Sequence, residues 1–324
     1  ERLIAGFGAG EARAGARLVH IATDGETYGH HHRHGEMALA WALGRIDSQG
    51  LARPTVYGRF LSPPPPEWQV EIAEETSWSC AHGVERWRSD CGCRMDGSKN
   101  QAWRRPLREA FDDLGERLAV AYEREASRLF RDPWAARDGC VDLGFDSEDA
   151  GRERFFAEHA ARPLDRAERT RALGLLEMQR AAVLMFASCG WFFDDVRGLE
   201  TEQILRFAGR AIEFGERLGG ETFEARFMAQ LSQAKSNDPS GECADGAAVY
   251  RRAVGSARTS LADIAGHAAV LSLFEERPNR DRVYAFEVER TATRRLDSGA
   301  AHLVSGHLAV VETATTEREE GGDT

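Results

Sequence analysis

The most constraining feature of the sequence is a polar loop between a short apolar run and an apolar helical segment. Residues 18–22 are apolar and partly β-branched, which predicts a buried parallel strand. Residues 23–36 are polar, and residues 37–43 have the composition of a helix. In α/β barrels, the residues that carry the chemistry lie where a strand ends and the following loop begins. We therefore expect this loop to be the edge of an active site.

The loop supplies the side chains that such a site needs. Asp24 and Glu26 place two carboxylates one residue apart, and four histidines follow them. His30 and His34 would share one face of a helix, a spacing that suits a metal ion or a sugar hydroxyl. A simple polar turn is the other interpretation, because Asp-Gly sequences favour tight backbone turns.

Composition limits the class of protein. The net charge of −11 argues against a nucleic-acid surface. No run of about 18 apolar residues is present, so no membrane span or membrane partner is predicted. No secretory signal is visible, which predicts a cytoplasmic protein with reduced thiols. The chain begins at Glu1 inside an apparent helix, so we expect it to be the C-terminal part of a longer protein.

Three of the six cysteines lie close to a histidine in the sequence. Cys80, His82, Cys91 and Cys93 offer enough ligands for a tetrahedral zinc ion. The usual zinc spacing is C-x2-C rather than the C-x-C found here, and free buried cysteines are common. Both a structural zinc ion and a set of free thiols therefore stay open, and no other cofactor is predicted.

The hydrophobic pattern divides the chain into three regions. Residues 1–98 combine short extended segments, a proline run and aromatic loops with a helix. Residues 99–277 show nearly continuous helical periodicity, with a first long helix over 101–131. Residues 278–324 alternate as β-strands before an acidic tail that we expect to be frayed. This layout predicts an α/β plus all-α chain: the end of an α/β barrel, a helical bundle and the start of a small β domain.

Three motifs, in this order, resemble a known family. Residues 23–30 (TDGETYGH) are similar to the fourth signature of glycoside hydrolase family 57. With residues 76–93 and the segment from Ser188 onward, they resemble an uncharacterised branch of that superfamily, which carries the domain of unknown function 3536. The resemblance extends roughly from Arg17 to Val311. It implies the C-terminal part of a (β/α)7-type barrel followed by a helical bundle, and retaining cleavage or transfer of α-glucans.

The resemblance also implies roles for the polar loop. Asp24 and Glu26 become the candidate catalytic residues, with Asp24 as general acid/base, while Glu26 and His30 support the sugar. A retaining glycosidase needs a second carboxylate about 5–5.5 Å away as nucleophile. The family supplies it as a glutamate in a Trp-x-Pro-Glu-like motif, which this sequence lacks. We therefore expect hydrolysis by this chain alone to be absent or weak.

Further substrate-binding candidates come from the other two motifs. The family's Ser-Asp-Trp-like signature corresponds here to residues 188–195, where Gly190 stands in place of the aspartate. Trp191 is either a sugar-stacking platform or part of a core, and the tryptophans of residues 76–93 have the same two interpretations. The candidate substrate-binding residues are His30, His34, Trp78, His82, Trp87, Trp191, Asp194 and Asp195.

Two other functions remain open at this point. A metal-dependent polysaccharide deacetylase would use Asp24 as base or ligand, and His30 and His34 as metal ligands. A non-catalytic carbohydrate-binding protein would keep the barrel and lose catalysis, which Gly190 favours and the intact Asp24 and Glu26 oppose. In each case the expected partner is a carbohydrate.

Overall fold

The computed structural model divides into two compact units, Glu1–Glu74 and Glu75–Thr324. It describes residues 18–62, 69–145, 149–255, 257–299 and 301–322. The predicted proline loop at 63–66 and the first residues of the chain lie outside these ranges.

The first unit contains two helices, α1 (Gly35–Ser48) and α2 (Tyr57–Leu61). Helix α1 confirms the helix expected after the polar loop. Helix α2 forms where one of the short extended segments of residues 1–98 was expected. The predicted strand at 18–22 is not formed, and no strand occurs among residues 18–62 and 69–74. A parallel strand needs a neighbouring strand to complete its hydrogen bonds, and these residues provide none.

The second unit is built on a helical bundle. Its helices are α3 (Arg104–Ala126), α4 (Pro133–Gly139), α5 (Val141–Phe145), α6 (Asp149–His159), α7 (Arg166–Leu184), α8 (Leu199–Gly219), α9 (Glu224–Leu231), α10 (Gly246–Gly255) and α11 (Leu261–Phe274). Helices α3, α7 and α8 pack on one another at the centre, with α9 and α10 alongside. None of the described helices is both long and apolar enough to cross a bilayer.

Local sequence signals set the limits of these helices. Asp132 caps α4 by accepting two backbone N–H groups, and Pro133 occupies the first helical position. Asp165 and Glu168 form a capping box at α7, and Gly220 ends α8 in the left-handed conformation. These local signals define where the three helices begin or end.

The core of the bundle is one continuous apolar cluster. Its fully buried side chains include several aromatic rings, among them Trp103, Phe111, Tyr122, Trp191 and Phe214. Burial of apolar surface stabilises the fold by about 25 cal/mol per Å². The bundle therefore contains the main apolar core of the second unit, and the loops described below are attached to it.

The C-terminal region is an antiparallel sheet whose strands follow chain order. The strands are β1 (Arg280–Val283), β2 (Phe286–Ser298), β3 (Ala301–Glu312) and β4 (Arg318–Gly322). Helix α11 packs on this sheet. The second unit thus mixes helices with one small sheet.

The acidic tail was expected to be frayed, and this expectation is wrong for residues 318–322. Arg318 pairs with Val311 at the free edge of β3, which offers unsatisfied backbone groups to a further strand. Arg318 also forms ion pairs with Glu289 and Glu320. An arginine within the acidic stretch therefore helps the tail to join the sheet.

Candidate metal centre

The four predicted metal ligands lie on residues 75–103, which we call the ligand loop. Apart from a 3-10 turn at Glu85–Trp87, this loop has no regular structure before α3. Gly83 has a φ of +75°, and a Cβ there would meet the carbonyl oxygen of Glu75 at 2.5 Å. Gly92, between two of the cysteines, has a φ of +81°. Both turns therefore favour glycine, and they bring the ligands together.

The side chains of Cys80, His82, Cys91 and Cys93 converge on one point of the loop. Cys80 Sγ lies 3.8 Å from Cys91 Sγ and 3.8 Å from Cys93 Sγ. Cys93 Sγ lies 3.6 Å from His82 Nδ1. All four ligand atoms lie within 4.8 Å of one another, and no other such group of three or more ligands occurs in the described ranges. The four residues thus form a cluster that can hold a metal ion.

The distances agree with the edges of a zinc-sized tetrahedron. Zinc bonds of about 2.3 Å to sulfur and about 2.0–2.1 Å to nitrogen give edges of about 3.8 Å between sulfurs and about 3.6 Å between sulfur and nitrogen. Three of the six distances between ligand atoms are close to these values, and all six are within 4.8 Å. None of the six cysteines is in a disulfide, so all three cluster thiols are free to act as ligands.

Burial and hydrogen bonds act in opposite directions on the thiols. Burial raises the pKa of Cys80, but hydrogen bonds from the backbone N–H groups of His82 and Arg86 and from the neighbouring thiols lower it to about 7. Burial dominates at Cys91 and raises its pKa. Backbone N–H groups directed at sulfur stabilise the thiolate, which is the form that binds metal.

Two buried arginines attach the ligand loop to the segment after α7. Arg104, in the first turn of α3, donates to the carbonyl oxygen of Cys93 at 3.2 Å and to those of Phe192 and Phe193 at 3.1 Å. Arg86 donates to the same Phe192 oxygen at 3.1 Å, and its guanidinium lies 4.2 Å from the centre of the Phe192 ring. The two guanidinium groups thus meet at one backbone carbonyl.

Asp194 and Trp87 add two further links between the loop and this segment. The Asp194 carboxylate accepts the backbone N–H of Met95 at 3.0 Å and that of Asp96 at 2.6 Å. The Trp87 indole N–H donates to the Ser188 carbonyl oxygen at 2.8 Å. Asp194 and Trp87 were predicted to contact substrate, whereas in the structure their polar atoms anchor the loop.

The substrate-binding prediction for Trp191 needs a correction. Its side chain is 1% exposed and packs on Phe111 and Phe186, with ring centroids 5.3 and 6.4 Å away. A sugar-stacking platform needs an accessible ring face, so Trp191 belongs to the core. Asp195 is also used internally, since its carboxylate accepts the backbone N–H of Asn237 at 2.8 Å.

Two other candidates on the ligand loop are accessible. Trp78 is 82% exposed, and the His82 side chain is exposed while its Nδ1 faces the cluster. Of the two, Trp78 keeps a free ring surface for a ligand.

The predicted carboxylates and histidines of the first unit lie on a turn that precedes α1. The carbonyl oxygens of Asp24 and Glu26 accept backbone hydrogen bonds of 3.1 and 2.9 Å across the turn, and the residues themselves are exposed. His30 and His34 are exposed too. His34 has a φ of 64° directly before α1, so the two histidines do not share a helical face. The spacing argument for a metal pair therefore does not apply here.

Sequence reasoning missed the two anchoring arginines. All but Lys99 and Lys235 of the 42 basic residues are arginines, so a single arginine carries little signal. The position of Arg104 in the first turn of α3 adds little signal, because the exposed Arg105 lies in the same turn.

Comparison with known proteins identifies the family. The family model described as domain of unknown function (DUF3536) matches residues 99–321. The chain therefore belongs to the DUF3536 family. The matched region contains Arg104 and residues 188–195, and it begins just after the cysteine cluster. No curated protein and no solved structure shows a significant match.

Proposed function

We propose that the ligand loop is a structural zinc module in which Cys80, His82, Cys91 and Cys93 are the four ligands. The observation that carries this proposal is the convergence of the four ligand atoms within 4.8 Å of one another, with three of the six pairs at 3.8, 3.8 and 3.6 Å, close to the edges of a zinc tetrahedron. Thiolates and imidazole are preferred by zinc, whereas magnesium and calcium prefer oxygen ligands. The donor set and the distances support the same ion.

The arrangement favours a structural role over a catalytic one. Four protein ligands complete the tetrahedron and leave no open position for water or substrate. Within residues 75–98, only Cys80 and Arg86 are buried. Hydrophobic burial can therefore stabilise this part of the loop only weakly, and a metal ion supplies the missing stabilisation, as it does in other small metal-bound folds.

Protein purified without chelators is expected to contain about one zinc ion per chain, since the site is closed by four ligands. Metal analysis by mass spectrometry measures this content directly. Protein stripped by a chelator is expected to recover the same stoichiometry on addition of zinc. A zinc content near zero that does not rise on reconstitution would contradict the proposal.

We further propose that the protein acts on carbohydrate, as its resemblance to glycoside hydrolase family 57 implies. Residues 23–30 carry the signature, and Asp24 and Glu26 are both exposed on one ordered turn. In this proposal the first unit is the C-terminal part of a (β/α)7-type barrel, Asp24 is the general acid/base, and Glu26 and His30 contact an α-glucan. Asp24-dependent turnover of α-glucan by the natural full-length protein tests this proposal.

The same assay separates the two alternatives. Binding of α-glucan without cleavage is the outcome for a non-catalytic carbohydrate-binding protein. Metal-dependent release of acetate from an acetylated polysaccharide is the outcome for a deacetylase. Either outcome would contradict the glycosidase proposal and leave the zinc module unaffected.

A further inference from the structure

The two arginines that anchor the ligand loop are buried cations without a carboxylate partner. Arg104 is fully buried and Arg86 is 7% exposed. Within the described part of the chain, neither lies within ion-pair distance of a carboxylate, and both direct their donors at backbone oxygens. The Nε atom of each has no hydrogen-bond partner there. Buried charges are costly unless opposite charge lies near them, so this pair needs a counter-ion.

Three groups near Arg104 can carry negative charge. One of them, Asp90, is exposed, so water screens its charge and two groups remain. The first is Asp194, which is 9% exposed and whose carboxylate holds the ligand loop. The second is the cysteine cluster. Burial lowers the pKa of Arg104 and the charge of Arg86 lowers it further, while Cys91, Asp194 and Asp90 act in the opposite direction. Arg104 is therefore within electrostatic reach of both groups.

We propose that the metal-loaded cysteine cluster is the counter-ion of the two buried arginines. This inference rests on the proposed zinc module. A zinc ion held by three thiolates and one neutral imidazole carries a single net negative charge. Together with Asp194, this charge balances those of Arg86 and Arg104. Metal binding and attachment of the ligand loop to residues 188–195 are then coupled, because both depend on the same balance of charges.

Cys93 connects the proposed metal site with Arg104. Its sulfur is a ligand, and its carbonyl oxygen accepts Arg104 at 3.2 Å. The Arg104 guanidinium also donates hydrogen bonds to the carbonyl oxygens of Phe192 and Phe193. Arg104 is thus a positioning residue that lies outside the ligand set and contacts both sides. By linkage, a cation that stabilises the anionic metal centre raises the metal affinity, and its removal lowers that affinity.

The Arg104→Gln variant tests this charge balance. We expect its zinc affinity to fall about 10- to 100-fold, the usual effect of losing a partner of the metal ligands. Competition with a chromophoric chelator on the full chain measures this affinity. Arg104→Lys keeps the positive charge but loses the planar guanidinium with its several donors. It should therefore lose less zinc affinity than the glutamine variant. The control is Arg105→Gln on the same helix, which removes an exposed charge and should bind zinc like the wild type.

The outcomes separate this inference from the zinc module itself. If the wild type binds no zinc, the zinc module fails. If the wild type binds zinc and Arg104→Gln binds it equally well, the charge balance is overturned. Equal losses in the glutamine and lysine variants would overturn it too, because charge would then not be the cause. If Arg104→Gln does not fold, Arg86→Gln takes its place, with a loss of affinity expected and an unchanged affinity contradicting the inference.

Discussion

Replacing Cys80 with serine is expected to abolish stoichiometric zinc binding and to lower the thermal stability of the second unit. Cys80 is the buried member of the cluster, and its sulfur lies 3.8 Å from each of the other two sulfurs. A ligand present at about 1,000 times its dissociation constant adds about 4 kcal/mol to the free energy of unfolding. Since 1 kcal/mol shifts the melting temperature of a domain of this size by about 2–4 °C, the variant should melt roughly 8–16 °C lower.

Thermal unfolding with and without a chelator measures this effect. The chelator should lower the melting temperature of the wild type to that of Cys80→Ser, and it should leave the variant unchanged. Cys189→Ser is the matched control, because Cys189 is an exposed thiol outside the cluster. A Cys80→Ser protein with wild-type zinc content and stability would contradict the zinc module.

Replacing Asp24 with asparagine is expected to lower the turnover of α-glucan by the natural full-length protein by about 10²- to 10⁴-fold. The asparagine keeps the shape of the side chain but cannot donate a proton to the leaving oxygen, and general acid catalysis contributes a factor of this size. A substrate with a good leaving group needs no protonation in the first step. The variant should therefore keep more activity on such a substrate, and azide should accelerate breakdown of the intermediate.

The control for this experiment is Asp47→Asn, which changes an exposed carboxylate near the end of α1 in the same unit. It should have the turnover of the wild type on both substrates. If Asp24→Asn cleaves α-glucan at nearly the wild-type rate, Asp24 is not the general acid/base.

Features that depend on local sequence were predicted well. The helix expected over residues 101–131 is α3 (Arg104–Ala126), because its apolar stripe repeats with the helical period and faces one core. The grouping of Cys80, His82, Cys91 and Cys93 as possible metal ligands was also predicted from the sequence, since they lie on one short loop. The usual C-x2-C spacing does not describe this loop. Turns at Gly83 and Gly92 bring the four side chains together.

Features that depend on distant partners were not predicted. A strand at 18–22 needs a neighbour that its own residues do not specify, and Arg318 enters the sheet because β3 has a free edge. The local sequence around Trp191 is compatible both with stacking on a sugar and with packing on Phe111. Only the burial of the side chain in the folded structure distinguishes these two roles. Arg104 is recognised only when the carbonyl oxygens around it are known.

X-ray absorption spectroscopy at the zinc edge is the most direct test of the zinc module. On the full chain, purified without chelators and loaded with about one zinc ion, it reports the atoms bound to the metal. A zinc ion held by the four proposed ligands should show about three sulfur atoms at about 2.3 Å and one nitrogen atom at about 2.0–2.1 Å. A first shell made only of oxygen and nitrogen atoms, as expected for zinc held by surface carboxylates and histidines, would contradict it.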